Sequence, residues 1–265
     1  MLRRLFFPLG VLALVCPVVP AFAAGLPGCA GPVEIAQAKV VRVERNGLLI
    51  LSDGRAIKLE GIRLNSAQPG ETGTAVAPDV LAVLRDMTAK SPVTFTALRP
   101  KEDRYDRVRA QAFVDGTWLQ AALLERGLAR AAPSPDRGEC SAELTQAEAR
   151  GRGAHAGVWN SGQASAQYYR VRGPHELRGT AGTFQVVEGW VTNVGNSGGR
   201  VFIDFGNDWR QGFSATIAPQ DRAQFRKLDL NRLVARHVRI RGMVQDYRGR
   251  PEIALSNPGQ IELLN

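Results

Sequence analysis

The apolar residues in the first half of this chain recur at strand spacing, with three interruptions of helical spacing. The strand-type segments are short and are separated by polar or glycine-rich turns, one of them the Asp-Gly hairpin turn of Asp53 and Gly54. The pattern predicts three strands, a helix, two strands and two helices. In order, these are strands 39–43, 48–51 and 56–62, helix 79–87, strands 93–97 and 108–114, and helices 119–126 and 142–154.

A second series of strand-type segments follows a polar stretch. Residues 160–182 are rich in Ser, Gly, Gln and Arg and have no hydrophobic period, which is typical of a linker. The pattern then predicts strands 183–194, 200–205, 213–217, 237–245 and 252–255, a helical stretch 221–233 and a short apolar end 260–264. Each half has the element order of a small Greek-key barrel. We therefore predict a β-rich α+β chain of two tandem five-stranded barrels, the first with associated helices.

The N-terminus has the pattern of a secretory leader. Arg3 and Arg4 precede a largely apolar stretch, and Ala21-Phe22-Ala23 is a small-x-small cleavage signal. We predict a signal peptide over residues 1–23 and export to the periplasm or outside the cell. No second apolar run of spanning length follows, so no membrane span is expected after cleavage. Residues 24–38 form an irregular lead-in, rich in Gly, Pro and Ala over 24–36.

Two cysteines, Cys29 and Cys140, follow the predicted leader. In an oxidising compartment a pair of thiols usually forms a disulfide, and two cysteines without a nearby histidine make a poor metal site. The alternative is two free thiols. A bond between them would close a loop of more than a hundred residues, which contributes about 4–5 kcal/mol in the chain-entropy model.

The net charge of the chain is compatible with a polyanionic partner but does not require one. The formal net charge is +9, and most of the cations are arginines. Guanidinium groups bind phosphates through two parallel hydrogen bonds, so single-stranded nucleic acid or another polyanion is one class of partner. Solubility and surface ion pairs explain the same charge without any ligand.

Several segments of residues 39–159 resemble the thermonuclease family, also called staphylococcal nuclease-like, in order and spacing. These matches include Ile57-Lys58-Leu59-Glu60-Gly61-Ile62, Asp103-Arg104-Tyr105-Asp106-Arg107, Phe113-Val114-Asp115-Gly116, Arg126-Gly127-Leu128-Ala129 and Gly157-Val158-Trp159. The resemblance implies an oligonucleotide-binding-type barrel with helices packed beside it. In the second half the segments include Glu188-Gly189-Trp190-Val191, Val238-Arg239-Ile240-Arg241-Gly242 and Pro258-Gly259-Gln260-Ile261-Glu262. Through them residues 183–265 resemble a second barrel of this type, found after thermonuclease-like domains in some exported bacterial proteins.

The resemblance also implies which positions should carry catalysis, and here the chain departs from the family. Active relatives use two acidic side chains to hold Ca²⁺ and a glutamate to activate water. Gly47 and Arg63 stand at the metal-binding positions, and Ser66 stands at the glutamate. Arg45 replaces a further acidic neighbour. We therefore expect no intact catalytic set, no calcium and no other metal or cofactor.

The cationic positions of the family are better preserved. Lys58 stands at the first phosphate-clamp arginine, and Arg107 matches the second, with Tyr105 beside it. These three residues are the candidates for residual phosphate binding. The alternative for Lys58 and Arg107 is a structural ion pair with Glu60 or Asp103.

The second predicted barrel carries aromatic and basic residues near its turns. Aromatic rings there would stack on bases while guanidinium groups follow a phosphate backbone. The alternative is that the rings fill the barrel and the arginines are solvated. The nucleic-acid-binding candidates of this half are Trp209, Tyr247, Arg248 and Arg250.

Three functional hypotheses follow. The first is an exported, catalytically degenerate nuclease homologue that binds nucleic acid or another polyanion. The second is an active phosphodiesterase with relocated acidic residues, for which Glu71 in the loop 65–78 is the nearest candidate. The third is an envelope module that binds a protein or a glycan.

Overall fold

The computed structural model describes residues 26–67, 75–163, 165–206 and 212–264. Within them the protein is a β-rich α+β structure with two large sheets, each belonging to its own β-rich domain. The predicted signal peptide 1–23, Glu71 and Trp209 lie outside the described residues.

The first large sheet has seven strands, and a two-stranded sheet lies beside it. The strands of the large sheet are β1 (Val33–Ala38), β2 (Val40–Val43), β3 (Leu49–Leu51), β4 (Ala56–Leu59), β6 (Val93–Thr96), β7 (Val108–Val114) and β8 (Thr117–Trp118). The small sheet pairs β5 (Ile62–Leu64) with β9 (Ala129–Ala131) in antiparallel fashion.

Two predictions for this region differ from the structure. The lead-in predicted as irregular contains strand β1, because the alternation of Val33 and Ile35 with polar neighbours outweighs the surrounding glycines and prolines. The predicted strand 56–62 is broken after Leu59, since Gly61 has a φ of +80° that a continuous strand does not allow. The break redirects the chain into β5.

Helices cover the first sheet close to the predicted positions. They are α1 (Pro78–Ala89), α2 (Leu119–Glu125) and α3 (Ser141–Gly153). Helix α1 begins at Pro78, one residue before the predicted start; Ala77 precedes it, and Pro78 fills its first turn, where a missing N–H costs nothing.

The second large sheet also has seven strands. They are β10 (Phe184–Trp190), β11 (Asn193–Ser197), β12 (Arg200–Phe205), β13 (Phe213–Ile217), β14 (His237–Tyr247), β15 (Arg250–Leu255) and β16 (Ile261–Leu263). The helical stretch predicted over 221–233 consists instead of two 3₁₀ turns, Pro219–Phe225 and Leu230–Leu233, in which Phe225 and Leu233 are buried.

The two sheets share one strand order. The first runs β1-β6-β7-β4-β3-β2, and the second runs β10-β14-β15-β13-β12-β11. The two ends of each path are consecutive strands along the chain, and each path contains one parallel pair, β4 with β7 and β13 with β15. The seven-strand count differs from the predicted five because the long first strand is bent into two and short edge strands are added.

The described residues of the predicted linker 160–182 pack against their neighbours. They include the short helix α4 (Ala166–Tyr169) and a 3₁₀ turn at Pro174–Glu176. Tyr169 is buried with Val158 and Trp159, and Leu177 joins the core of the second domain. Sequence pattern missed this packing because too few apolar residues carry it to produce a period.

The predicted disulfide between Cys29 and Cys140 is present and ties the segment before β1 to the start of α3. None of the helices in the described part of the chain is long and apolar enough to cross a membrane.

Candidate functional site

A groove of about 800 Å³ runs between the two domains. Its first wall comes from β4, β5 and the segment 132–135 that follows β9, and its second wall comes from β10, β14 and β15. Three cationic side chains line it, and no carboxylate of the described residues does so: the cations are Lys58, Arg63 and Arg107. Such a lining favours an anionic ligand.

Lys58 and Arg107 differ in whether a carboxylate pairs with them. Lys58 is half-buried and forms no ion pair with any residue in the described ranges; the alternative partner, Glu60, is buried with both carboxylate oxygens lacking a hydrogen bond. Arg107 donates from Nε to Asp103 Oδ2 at 2.8 Å, so its structural ion pair is present. Its guanidinium also lies 4.7 Å from the ring centre of the exposed Tyr105.

The Asp103–Arg107 pair is strong enough to alter acid–base behaviour. Burial acts to raise the pKa of Asp103. Hydrogen bonds from the Arg107 side chain and from the Tyr105 and Arg107 amides outweigh it and hold that pKa at about 2. Arg107 therefore reaches the groove as a cation already shared with one carboxylate.

Gly47, Arg63 and Ser66, the positions that the resemblance predicts to correspond to the family's carboxylates, also line the groove. Gly47 has a φ of +83°, and a Cβ there would overlap the side chain of Leu64. Ser66 lies on the same wall and donates its hydroxyl to the carbonyl of Ala75 at 3.3 Å. Arg45 is exposed and lies on a separate surface depression, so the structure does not bring it to the groove.

Arg63 stands directly opposite Arg130 across the β5–β9 pair. Both guanidinium groups face the ring of Phe184 from the second domain, at 5.9 Å for Arg63 and 4.9 Å for Arg130. Neither arginine forms an ion pair with a described residue. Burial lowers the pKa of Arg63, and burial lowers the pKa of Arg130 to about 10.

Tyr169 of α4 fixes the wall on which Ser66 lies. Its hydroxyl accepts a hydrogen bond from the Ser66 amide at 3.0 Å and donates to the Ser66 carbonyl at 3.3 Å. The Arg130 guanidinium lies 4.7 Å from the centre of its ring. A residue of the predicted linker thus holds the backbone at the groove.

The second wall is built from one face of β14. Alternate residues of a strand share a face, and on β14 the face that carries Arg241 also carries Met243, Gln245 and Tyr247. Arg241 is fully buried, Met243 and Gln245 line the groove, and Tyr247 is 44% exposed beyond it. One strand therefore leads from the domain interface through the groove to an open hairpin tip.

The hairpin tip holds the aromatic and basic residues that the sequence singled out. The guanidinium groups of Arg248 and Arg250 lie 5.4 and 5.7 Å from the ring centre of Tyr247. The structure brings these three residues together, next to the groove rather than in it. The fourth candidate, Trp209, is in the segment outside the described residues.

A buried ion pair fixes the two domains relative to each other. The Arg241 guanidinium donates to Glu148 Oε2 at 2.7 Å, and neither side chain is exposed. Glu148 also accepts from the Ala131 amide at 2.7 Å and from Arg152 at 3.0 Å. Arg241 donates in turn to Glu262 at 3.0 Å. The groove walls are consequently parts of one docked structure.

One trio of potential metal ligands occurs in the described part of the chain, namely Cys29, Cys140 and Glu143. The two sulfurs are bonded to each other, so the trio does not offer thiolate ligands.

Residues 57–161 match the family model described as Staphylococcal nuclease homologue. The chain thus contains a thermonuclease-like domain, and the matched segment includes Lys58, Arg63, Ser66 and Arg107 and leaves Gly47 outside it. No curated protein matches the chain.

Several residues in or beside the groove were not identified from the sequence. Arg130 and Phe184 carried no motif, although an arginine between two alanines in a short apolar segment was a visible signal of a buried cation. The odd-numbered positions of β14 could have been read as one face from their alternation with Val238, Ile240 and Val244. Tyr169 gave no signal, because its partner is backbone.

Proposed function

We propose that this protein binds single-stranded nucleic acid in the groove between its domains and does not cleave it by a calcium-dependent mechanism. The observation that carries the proposal is the groove lining of Lys58, Arg63 and Arg107 without a described carboxylate. Phosphates would lie against this wall, and bases would lie along Met243 and Gln245 toward the ring of Tyr247.

The shape of the groove supports a single strand rather than a duplex. It lies between two docked domains, with cations on one wall only, and its second wall is neutral. Base faces are accessible only in an unpaired strand, and Tyr247 with its two flanking arginines offers a stacking surface with fixed charge.

The lack of cleavage is supported by the residues at the family's catalytic positions. Gly47, Arg63 and Ser66 offer no carboxylate to a hard cation, and Arg63 adds a charge that repels one. We regard these as degenerate positions of a nuclease fold. We also propose that each sheet is an oligonucleotide-binding-type barrel joined through its bent first strand, and that the protein acts outside the cytoplasm, where the Cys29–Cys140 disulfide is favoured.

Salt dependence of oligonucleotide binding tests the proposal. Binding of a fluorescent single-stranded oligothymidylate should weaken with salt at a log–log slope of about −2, as expected for three phosphate contacts on a single strand. Lys58→Gln should reduce the slope by about 0.7. Lys90→Gln, on an exposed lysine that pairs with Asp86 on α1, is the matched control and should leave the slope unchanged.

Absence of binding, or binding that salt does not weaken, would overturn the proposal and favour a protein or glycan partner. Hydrolysis of the same oligonucleotide that a chelator abolishes would overturn its non-enzymatic part. Loss of such hydrolysis in Glu71→Gln would then identify a relocated acidic residue.

A further inference from the structure

Arg63 and Arg130 are a like-charged pair placed directly opposite each other. Like charges at such positions destabilise a sheet, and a buried cation normally has a carboxylate partner. Neither guanidinium has one among the described residues, and Arg130 is buried. The fold therefore carries the cost of two positive charges without an internal counter-ion.

Other buried arginines of the described structure are treated differently. Arg241 pairs with Glu148 and Glu262, and Arg109 pairs with Asp136. The absence of a carboxylate at Arg63 and Arg130 is thus specific to the groove. A ligand anion would supply the missing charge.

The contacts around this pair hold the groove lining in place at Arg63. Arg130 donates to the Phe184 carbonyl at 2.6 Å, and the Phe184 ring stands beside Arg63. On the other side, Tyr169 is bonded to the Ser66 backbone. In the proposed function a strand runs from Tyr247 along β14 toward Arg63, so an end of the strand would lie at Arg63.

We propose that Arg63, supported from behind by Arg130, binds a phosphate monoester: the terminal phosphate of a nucleic-acid strand or that of a free nucleotide. The second pKa of a phosphate monoester is about 6, so at neutral pH the group is mostly a dianion, whereas an internal phosphodiester carries one charge. The two negative charges of a monoester offset the charges of Arg63 and of the buried Arg130 behind it more fully than the single charge of a diester does. This inference rests on the proposed function for the direction from which a strand enters.

The test compares three oligothymidylates of equal length, with a 5′-phosphate, a 3′-phosphate or hydroxyl groups at both ends. One phosphorylated form should bind about tenfold tighter than the hydroxyl form, as expected for a gained charge-assisted contact. Arg63→Gln should remove this preference, and Arg63→Lys should keep part of it. Arg45→Gln, an exposed arginine off the groove, should retain it fully. Far-UV circular dichroism checks that each variant is folded.

The outcomes separate the two proposals. Equal binding of all three oligonucleotides would overturn the terminal-phosphate site and leave the proposed function in place. If no oligonucleotide binds but thymidine monophosphate binds and depends on Arg63, the monoester site stands as a nucleotide site and the proposed function fails. If none of these ligands binds, both are overturned.

Discussion

The domain interface and the groove use arginine in opposite ways. At the interface, Arg241 is completely buried and is enclosed by Glu148 and Glu262. In the groove, Arg63 is half-buried and faces an aromatic ring and a second arginine. The first arrangement satisfies its charge within the protein, and the second leaves charge for something else to satisfy.

The difference gives a way to separate structural cations from binding cations in a basic protein. Removing a paired, buried arginine should cost folding stability, because its carboxylate is left buried and unpaired. Removing an unpaired arginine from a groove should cost binding and relieve repulsion. Arg107, which is paired but lines the groove, lies between these cases.

The largest effect is expected at the interface. Arg241→Met should lower the free energy of unfolding by about 3–5 kcal/mol, because Glu148 loses a partner inside the protein. Urea denaturation measures this. Arg150→Met is the control, since Arg150 forms an exposed pair with Glu125 whose loss should cost less than about 1 kcal/mol. Similar losses in both variants would contradict the assignment of Arg241 as the structural cation.

An intermediate effect is expected at Arg107. The pKa of Asp103 is lowered from its ordinary 3.8 to about 2 on folding. The contribution of the Asp103 carboxylate to the free energy of unfolding is therefore complete above its ordinary pKa. This contribution is lost as the pH falls through the pKa of the folded state. The stability difference between the wild type and Asp103→Asn should be largest near neutral pH and should shrink between pH 4 and 2, in roughly the range that these two pKa values set.

Asp103→Asn should also release Arg107 and tighten oligonucleotide binding. Asp106→Asn, an exposed change in the same turn, is the matched control and should show neither effect. A stability difference that does not depend on pH would mean that the carboxylate does not act through its ion pair.

The smallest effect, with the opposite sign, is expected at Arg63. Arg63→Gln should raise the free energy of unfolding by up to about 1 kcal/mol, because it removes repulsion from Arg130. Thermal denaturation without ligand measures it. A loss of stability comparable to that in Arg241→Met would show that Arg63 is structural and would remove the contrast between the two regions.

Local pattern was sufficient for most of the fold. Strand 108–114 was predicted with its observed bounds, since all seven of its residues are buried between neighbouring strands and form a continuous β-rich segment. The helix bounds were correct to within two residues for 119–126 and 142–154. Failures came where one residue overrides the pattern, as Gly61 does, or where packing depends on a few distant contacts, as in residues 160–182.

The candidate site could be predicted only in part. Motif spacing located Lys58, Arg63 and Arg107 on one wall, because these residues lie in a single domain with a recognisable order. The opposite wall depends on how the second domain docks, and that docking is decided by side chains such as Glu148 and Arg241, which are 93 residues apart in sequence. No local pattern reports such a pair.

Strand β14 has a further consequence for ligand choice. Side chains on one face of a strand recur about every 6.8 Å, and the buried Arg241 anchors this series at the joint between the domains. Met243, Gln245 and Tyr247 are thus held at fixed, regular intervals from Arg241. A polymer whose repeat matches these intervals would contact each of the three side chains in turn. A polymer with a different repeat would match only the first of them.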